Sequence, residues 1–171
     1  MVFVAVLAAL LASGPAGALT ITGPGTALNA YSFSVDGYEV YLLGVDSVER
    51  TQGCEIDRRD WDCGIAAIRH LEEVLYEGPV TCETVFGPDG ENRVVAICTL
   101  YGDDLGGRLI AEGFAVAMPN ETTRYAALET EARAAGVGLW QGRFTPPAIF
   151  RSRPMAPQST RPAFYPPVPI D

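Results

Sequence analysis

The dipeptide Asp36-Gly37 separates two runs rich in Val, Tyr, Phe and Ser, namely Ala27 to Val35 and Tyr38 to Val45. A two-residue hairpin turn needs positive φ at its centre, which Gly adopts freely and Asp tolerates, so these runs are expected to fold back on each other as antiparallel strands. The second run leads into Leu42-Leu43-Gly44-Val45-Asp46-Ser47-Val48-Glu49, an apolar strand that closes in two carboxylates three residues apart. Such a pair offers oxygens to a hard cation or to an attacking water. The plainer alternative is a solvated pair at a strand end.

Beyond this hairpin the pattern alternates between short β-rich and helical stretches. Arg50 to Asp62 is polar and reads as a loop. Ile65 to Tyr76 places Ile65, Ile68, Leu71 and Leu75, with Val74 beside them, on one face and predicts a helix, with Asp62 as cap and Gly78 as stop. Pro79 to Phe86 and Arg93 to Tyr101 predict a second hairpin around Gly87-Pro88-Asp89-Gly90-Glu91-Asn92. A short helix over Leu105 to Glu112, a strand over Phe114 to Met118, a helix over Thr122 to Ala135 and the docking segment Gly138-Leu139-Trp140 complete the series. Five short strands with three helices predict an α+β, mainly β domain: a five-stranded OB-fold Greek-key barrel.

All twelve basic residues are Arg, against a formal net charge of −9. That field disfavours non-specific nucleic-acid binding and leaves only a local patch for it. The close basic pairs, Arg58-Arg59 and Arg151/Arg153, are scattered along the chain. Val2 to Ala12 is an apolar run followed by small residues, which predicts a secretory signal over 1–18, cleaved after Ala18. No basic residue precedes the run, so retention as an anchor is the alternative. It is too short for a transmembrane helix. Secretion or residence in the periplasm suits the even cysteine count, which favours disulfides. Four cysteines permit three connectivities; the one that ties local elements without crossing pairs Cys54 with Cys63 and Cys82 with Cys98. A zinc site is the weaker rival, since no C-x-x-C occurs and His70 is the only histidine. The folded domain is placed at 19–145. From Pro146 to Asp171 proline recurs without helical or strand period, which predicts a disordered tail, with a proline-rich ligand for an unknown partner as the functional alternative.

Several fragments, in order and spacing, resemble the staphylococcal-nuclease-like (thermonuclease) family over about residues 25–145. They are Val35-Asp36-Gly37, Leu42-x-Gly44-Val45-Asp46-x-x-Glu49, Trp61-Asp62-Cys63-Gly64, Asp89-x-x-x-Arg93, Gly106-x-x-Leu109-Ile110-x-x-Gly113-Phe114-Ala115 and Gly138-Leu139-Trp140. The cysteine positions look like those of exported bacterial members. The resemblance implies an OB barrel carrying a Ca2+-dependent phosphodiesterase site for DNA and RNA. It implies calcium held by two aspartates, one on each of two motifs, a glutamate that positions or activates water, and two arginines on the phosphorane-like charge.

Carried over residue by residue, the resemblance retains only half of that site. Asp46 matches a metal ligand, and Glu49 matches the water-activating carboxylate, with Val48 where proline is usual. Arg93 matches the later arginine, with Asn92 where glycine is usual. The first calcium-binding aspartate falls at Tyr31 and the strand arginine at Tyr41. A neutral phenol is a poor ligand for calcium and brings no charge to a phosphate. The expectation is therefore an exported nuclease homologue with vestigial or weak Glu49, Arg93 and Asp46, acting as a binding or structural module. The alternative is an active secreted nuclease working through Asp46, Glu49 and Arg93. Further expectations are that Arg93 bridges to Glu49 or Asp46, that Arg50 leaves the strand on another face, and that His70 is a surface residue. Asn120-Glu121-Thr122 fits a glycosylation sequon or a simple turn.

Overall fold

The computed structural model describes residues 18–153. In chain order they form β1 (Thr20–Gly23), β2 (Thr26–Ala27), β3 (Ser32–Val35), β4 (Tyr38–Leu42), β5 (Val45–Asp46), β6 (Cys54–Ile56) and β7 (Arg59–Trp61). Then follow α1 (Cys63–Tyr76), β8 (Val80–Phe86), β9 (Arg93–Leu100), β10 (Asp103–Asp104) and α2 (Leu105–Ala111). The series closes with β11 (Val116–Ala117), α3 (Ala126–Ala135), a 3-10 turn (Gly138–Gln141) and α4 (Pro147–Arg151). The main sheet runs β1-β8-β9-β4-β3-β2, with β10 also on β9, and curls into a half-barrel of the OB type. Its strands are antiparallel except for β4 and β9, which pair in parallel with Tyr41 opposite Val95.

Alternation along β4 and β9 sorts the side chains onto two faces. Val40, Leu42, Val94 and Ala96 join Phe33, Leu71, Val74, Leu105 and Leu109 in the main core between the sheet and helices α1 and α2. The intervening Tyr41 and Val95 point the other way and meet Tyr31 in a separate small cluster. A third cluster packs Val48 with Ala30, Ala67, Ile68, Leu139 and the Cys54/Cys63 pair.

The Asp36-Gly37 hairpin forms as expected, with φ of 48° and 79° at its two turn residues. The expected strand over Ala27 to Val35 is instead split. Asn29 Oδ1 accepts from the amides of Tyr31 (2.9 Å) and Ser32 (2.8 Å), a local turn that interrupts the ladder. The loop expected over Arg50 to Asp62 contains the β6–β7 hairpin, whose turn is Asp57-Arg58 at φ 51° and 65°. Two non-glycine residues in that conformation carry no hairpin signal. Strand β1, paired with β8 from Thr20↔Glu83 to Gly23↔Val80, was not expected either, although Gly23-Pro24-Gly25 marks the turn that ends it. Helix α3 starts at Ala126 rather than Thr122, because Tyr125 turns into the core and donates to Asp104 Oδ1 at 3.0 Å.

The expected disordered tail begins with folded residues. Helix α4 occupies Pro147–Arg151, with proline at its first position, and residues 143–153 lie on the domain. The rest of the proline-rich segment, 154–171, and residues 1–17 of the expected signal lie outside the described residues. Among the described residues no helix is long and apolar enough to cross a membrane.

Both local disulfides are present: Cys54–Cys63, nine residues apart, and Cys82–Cys98, directly opposed across β8 and β9 and sixteen apart. They suit an oxidising, extracellular-type environment. The loop-entropy model gives about 3 kcal/mol for the longer bridge and less for the shorter. Paired Cys→Ala replacement should lower the urea-unfolding free energy in that order.

Candidate functional site

Asp46 ends β5, whose partner β11 sets Val116 opposite it. The following turn is anchored on both sides. Ser47 Oγ donates to the Phe114 carbonyl at 2.6 Å, and Val48 is fully buried in the third cluster. Gln52 N donates to the Glu49 carbonyl at 2.8 Å, and Gly64 N donates to the Gln52 carbonyl at 3.1 Å. A Cβ on Gly64 would lie 2.0 Å from the Glu49 carbonyl oxygen, so the start of α1 is pressed directly against this turn. With Ser47 and Val48 held inward, Asp46 and Glu49 share one side of the turn.

Both carboxylates are buried, at 3 % and 7 % exposure. They meet the guanidinium of Arg151, the last residue of α4. Arg151 Nη1 donates to Asp46 Oδ1 and to Glu49 Oε1, each at 2.9 Å, and Nη2 donates to Asp46 Oδ2. Burial works against the Arg151 charge, but hydrogen bonds and attraction to Asp46, then the bond to Glu49, outweigh it and raise its pKa further. Tyr31 OH donates to the same Glu49 Oε1 at 3.4 Å, and the guanidinium carbon lies 5.8 Å from the Tyr31 ring centroid.

Tyr31 and Tyr41 are 1 % and 4 % exposed, with ring centroids 6.3 Å apart. Tyr41 OH donates to Glu39 Oε1 at 2.6 Å. Burial, then the Glu39 carboxylate, pushes its phenol well above the ordinary tyrosine range.

Arg93 does not join the carboxylates. Its Nε meets Asp89 Oδ2 at 2.7 Å and its Nη1 meets Glu91 Oε2 at 3.0 Å, and Asp89 Oδ1 also accepts from the Arg93 amide. The Asp89-x-x-x-Arg93 spacing thus closes the β8–β9 loop on itself, and the expected bridge to Glu49 or Asp46 is replaced by these nearer acceptors. Arg50 is exposed. His70 is half-buried rather than superficial: its Nε2 lies 2.5 Å from Glu112 Oε2 and its ring stacks on Phe114 at 4.2 Å. Asn120 is exposed, whereas the Glu121 side chain is buried and accepts from Gly44 N at 2.9 Å.

Sequence reasoning missed Arg151. It stood in a segment read as tail, and the Arg151/Arg153 pair was weighed only as scattered charge. The Pro146-Pro147 step, which favours a helix start, was the available signal.

A hard cation of the calcium type takes six to eight oxygen ligands. Here two carboxylates converge, both already hydrogen-bonded to a guanidinium, and the Tyr31 hydroxyl beside them donates to Glu49. Among the described residues no group of three or more His, Cys, Asp or Glu is gathered for a metal. The donor set does not fit calcium. Alongside the carboxylates, Asp46, Val116, Met118, Trp140, Phe144 and Pro147 line a groove of about 710 Å³.

Gly64→Ala should destabilise the protein by about 1–3 kcal/mol in urea unfolding, because backbone rather than a flexible side chain blocks the added methyl. A second expectation concerns alkaline pH. The Tyr41 phenol is raised in the fold, so its contribution to stability is complete below the unfolded value of about 10 and is lost as pH climbs above it. Tyr41→Phe should flatten this alkaline loss in denaturant titrations at stepped pH.

The model of the staphylococcal nuclease homologues matches residues 39–142, a span containing Asp46, Glu49, Tyr41 and Arg93 but ending before Arg151. A comparison with curated proteins gives no match. With the curled sheet, the carboxylate turn and more than half of the chain inside that match, this protein belongs to the staphylococcal nuclease homologue family.

Proposed function

We propose that this is an exported nuclease-fold protein impaired in phosphodiester hydrolysis and serving as a binding or structural module. The observation that carries the reading is the state of Glu49. The oxygen that would orient an attacking water instead accepts from Arg151 and from Tyr31. An oxygen that already accepts from two donors has little capacity left to orient a water, and burial leaves little approach for one.

The two phenols support the same reading. Tyr41 fills the position at which a phosphate would need a cation, and it is engaged with Glu39. Removing one well-placed transition-state donor typically costs about 3–4 kcal/mol, or about 10²–10³ in rate. Loss of a metal carboxylate at Tyr31 adds to this without being additive, which makes a deficit on the order of 10⁴ reasonable. Arg93, tied to Asp89 and Glu91, does not compensate. The two disulfides and the apolar leader support export.

The test is plasmid nicking by the disulfide-intact protein, with calcium and then with EDTA. No calcium-dependent cleavage above the EDTA background is expected. Calcium-dependent cleavage that disappears in Asp46→Ala or Glu49→Ala would overturn the proposal in favour of an active nuclease built on Asp46, Glu49 and Arg93.

A further inference from the structure

We propose that the groove beside Trp140 takes an extended proline-rich segment, and that its occupant is this chain's own stretch Phe164-Tyr165-Pro166-Pro167-Val168-Pro169. The inference rests on the functional reading above and names the ligand class that such a binding module takes.

The groove is built on fixed parts. Its apolar wall is Val116, Met118, Trp140, Phe144, Pro146 and Pro147. Leu139, fully buried, donates its amide to the Gly113 carbonyl at 2.8 Å and so holds the turn that carries Trp140. Phe144 meets the Trp140 ring edge-on at 4.9 Å, and the Arg133 guanidinium lies 4.3 Å from that ring's centroid while pairing with Glu129. The two prolines have fixed φ. Little side-chain freedom therefore remains to be lost when a ligand binds.

Two observations say what fits. Grooves walled by aromatic side chains are the docking sites of polyproline II segments, which have no internal hydrogen bonds and present open carbonyls. Trp140 Nε1 is buried and has no hydrogen-bond partner among the described residues, a donor that such a carbonyl would satisfy.

The chain brings a matching segment to the place. Arg153, the last described residue, donates from Nη2 to Thr145 Oγ1 at 3.2 Å, so the chain leaves beside the loop between Phe144 and Pro146. Residues 154–171 then hold six prolines in eighteen positions. Gln158-Ser159-Thr160-Arg161 is polar, whereas Pro162 to Ile170 carries no charge and includes Phe164, Tyr165 and Val168. The ten residues between Arg153 and Phe164 make a tether with a root-mean-square reach of about 15–20 Å, enough to cross a groove of about 710 Å³. Held at an effective concentration of about 1 mM, a segment that binds at about 0.1 mM when free fills its groove about nine-tenths of the time.

The experiment uses a fluorescein-labelled synthetic peptide of residues 161–171 and reads its anisotropy with full-length proteins. Wild type, its groove filled, should bind the peptide weakly. The full-length variant carrying Phe164→Ser and Tyr165→Ser should bind it at least about tenfold more tightly. Adding Ala148→Glu to that variant should abolish binding, because Ala148 is exposed and lines the groove, so the charge enters the groove and not the core. Trp61→Phe leaves Trp140 as the only tryptophan, and in that background the two tail serines should raise acrylamide quenching of its emission. Equal peptide affinity in wild type and the tail variant, or binding by neither, would overturn the inference. So would binding that survives Ala148→Glu. If Ala148→Glu does not fold, the Trp140 quenching decides, and quenching unchanged by the tail serines would overturn the inference. A concentration-dependent dimer of wild type that the tail serines abolish would overturn occupancy within one chain, since the segment then fills a second copy's groove. Calcium-dependent cleavage by wild type would count against the functional reading and leave the peptide comparison untouched.

Discussion

The burial of Asp46 and Glu49 organises much of what surrounds them. Their turn is fixed from behind by Val48 in a hydrophobic cluster, by Ser47 on the Phe114 carbonyl and by the close approach of Gly64. Of these residues Ser47 also serves an acid directly, its amide donating to Asp46 Oδ1 at 2.8 Å. In a low-dielectric site, removing one partner of a buried ion pair typically costs about 3–5 kcal/mol, because the remaining charge has nowhere to go. Arg151 meets that demand on both acids at once, whether or not any chemistry occurs there.

The tyrosines show how two large rings can pack beside the carboxylate turn without disturbing the barrel. Position 41 is fixed by the β4–β9 register on the face opposite the main core, so its side chain can change while Val40 and Leu42 continue to fill the interior. Position 31 sits at the end of an Asn29 turn that does not depend on the identity of residue 31, since its hydrogen bonds run from side-chain oxygen to backbone amide. Both positions can thus bury a ring without altering the backbone around them. Each phenol then finds a carboxylate, Glu49 for Tyr31 and Glu39 for Tyr41, so neither hydroxyl is buried unsatisfied.

Much of the barrel was legible because its elements carry strong local signals: the Asp36-Gly37 turn, the apolar face of α1, and cysteines on strands that the hairpin register brings together. The elements that escaped notice lack such signals. The Asp57-Arg58 turn takes its positive φ values without glycine, inside a hairpin held by the Cys54–Cys63 bridge. The split of the first strand depends on one Asn side chain. At the site, the carboxylate pair Asp46 and Glu49 stood out by spacing, and the two tyrosines were singled out only through the family resemblance. Arg93 could be placed in sequence but not in space, because its nearest acids, Asp89 and Glu91, compete successfully for it. Arg151 was not legible, since its partners lie far back in the chain and composition alone suggested a solvated segment.

That separation has a kinetic side. Asp46 and Arg151 are 105 residues apart, so their contact closes one of the longest loops in the described chain. Such a contact bears a larger closure entropy than the hairpins and helices, which close locally. The sheet can take shape while the carboxylate turn still faces water. Interactions absent from the transition state act mainly on the unfolding rate. A contact fastened after the barrel thus slows escape from the native state more than it speeds arrival, and its benefit is durability rather than ease of folding.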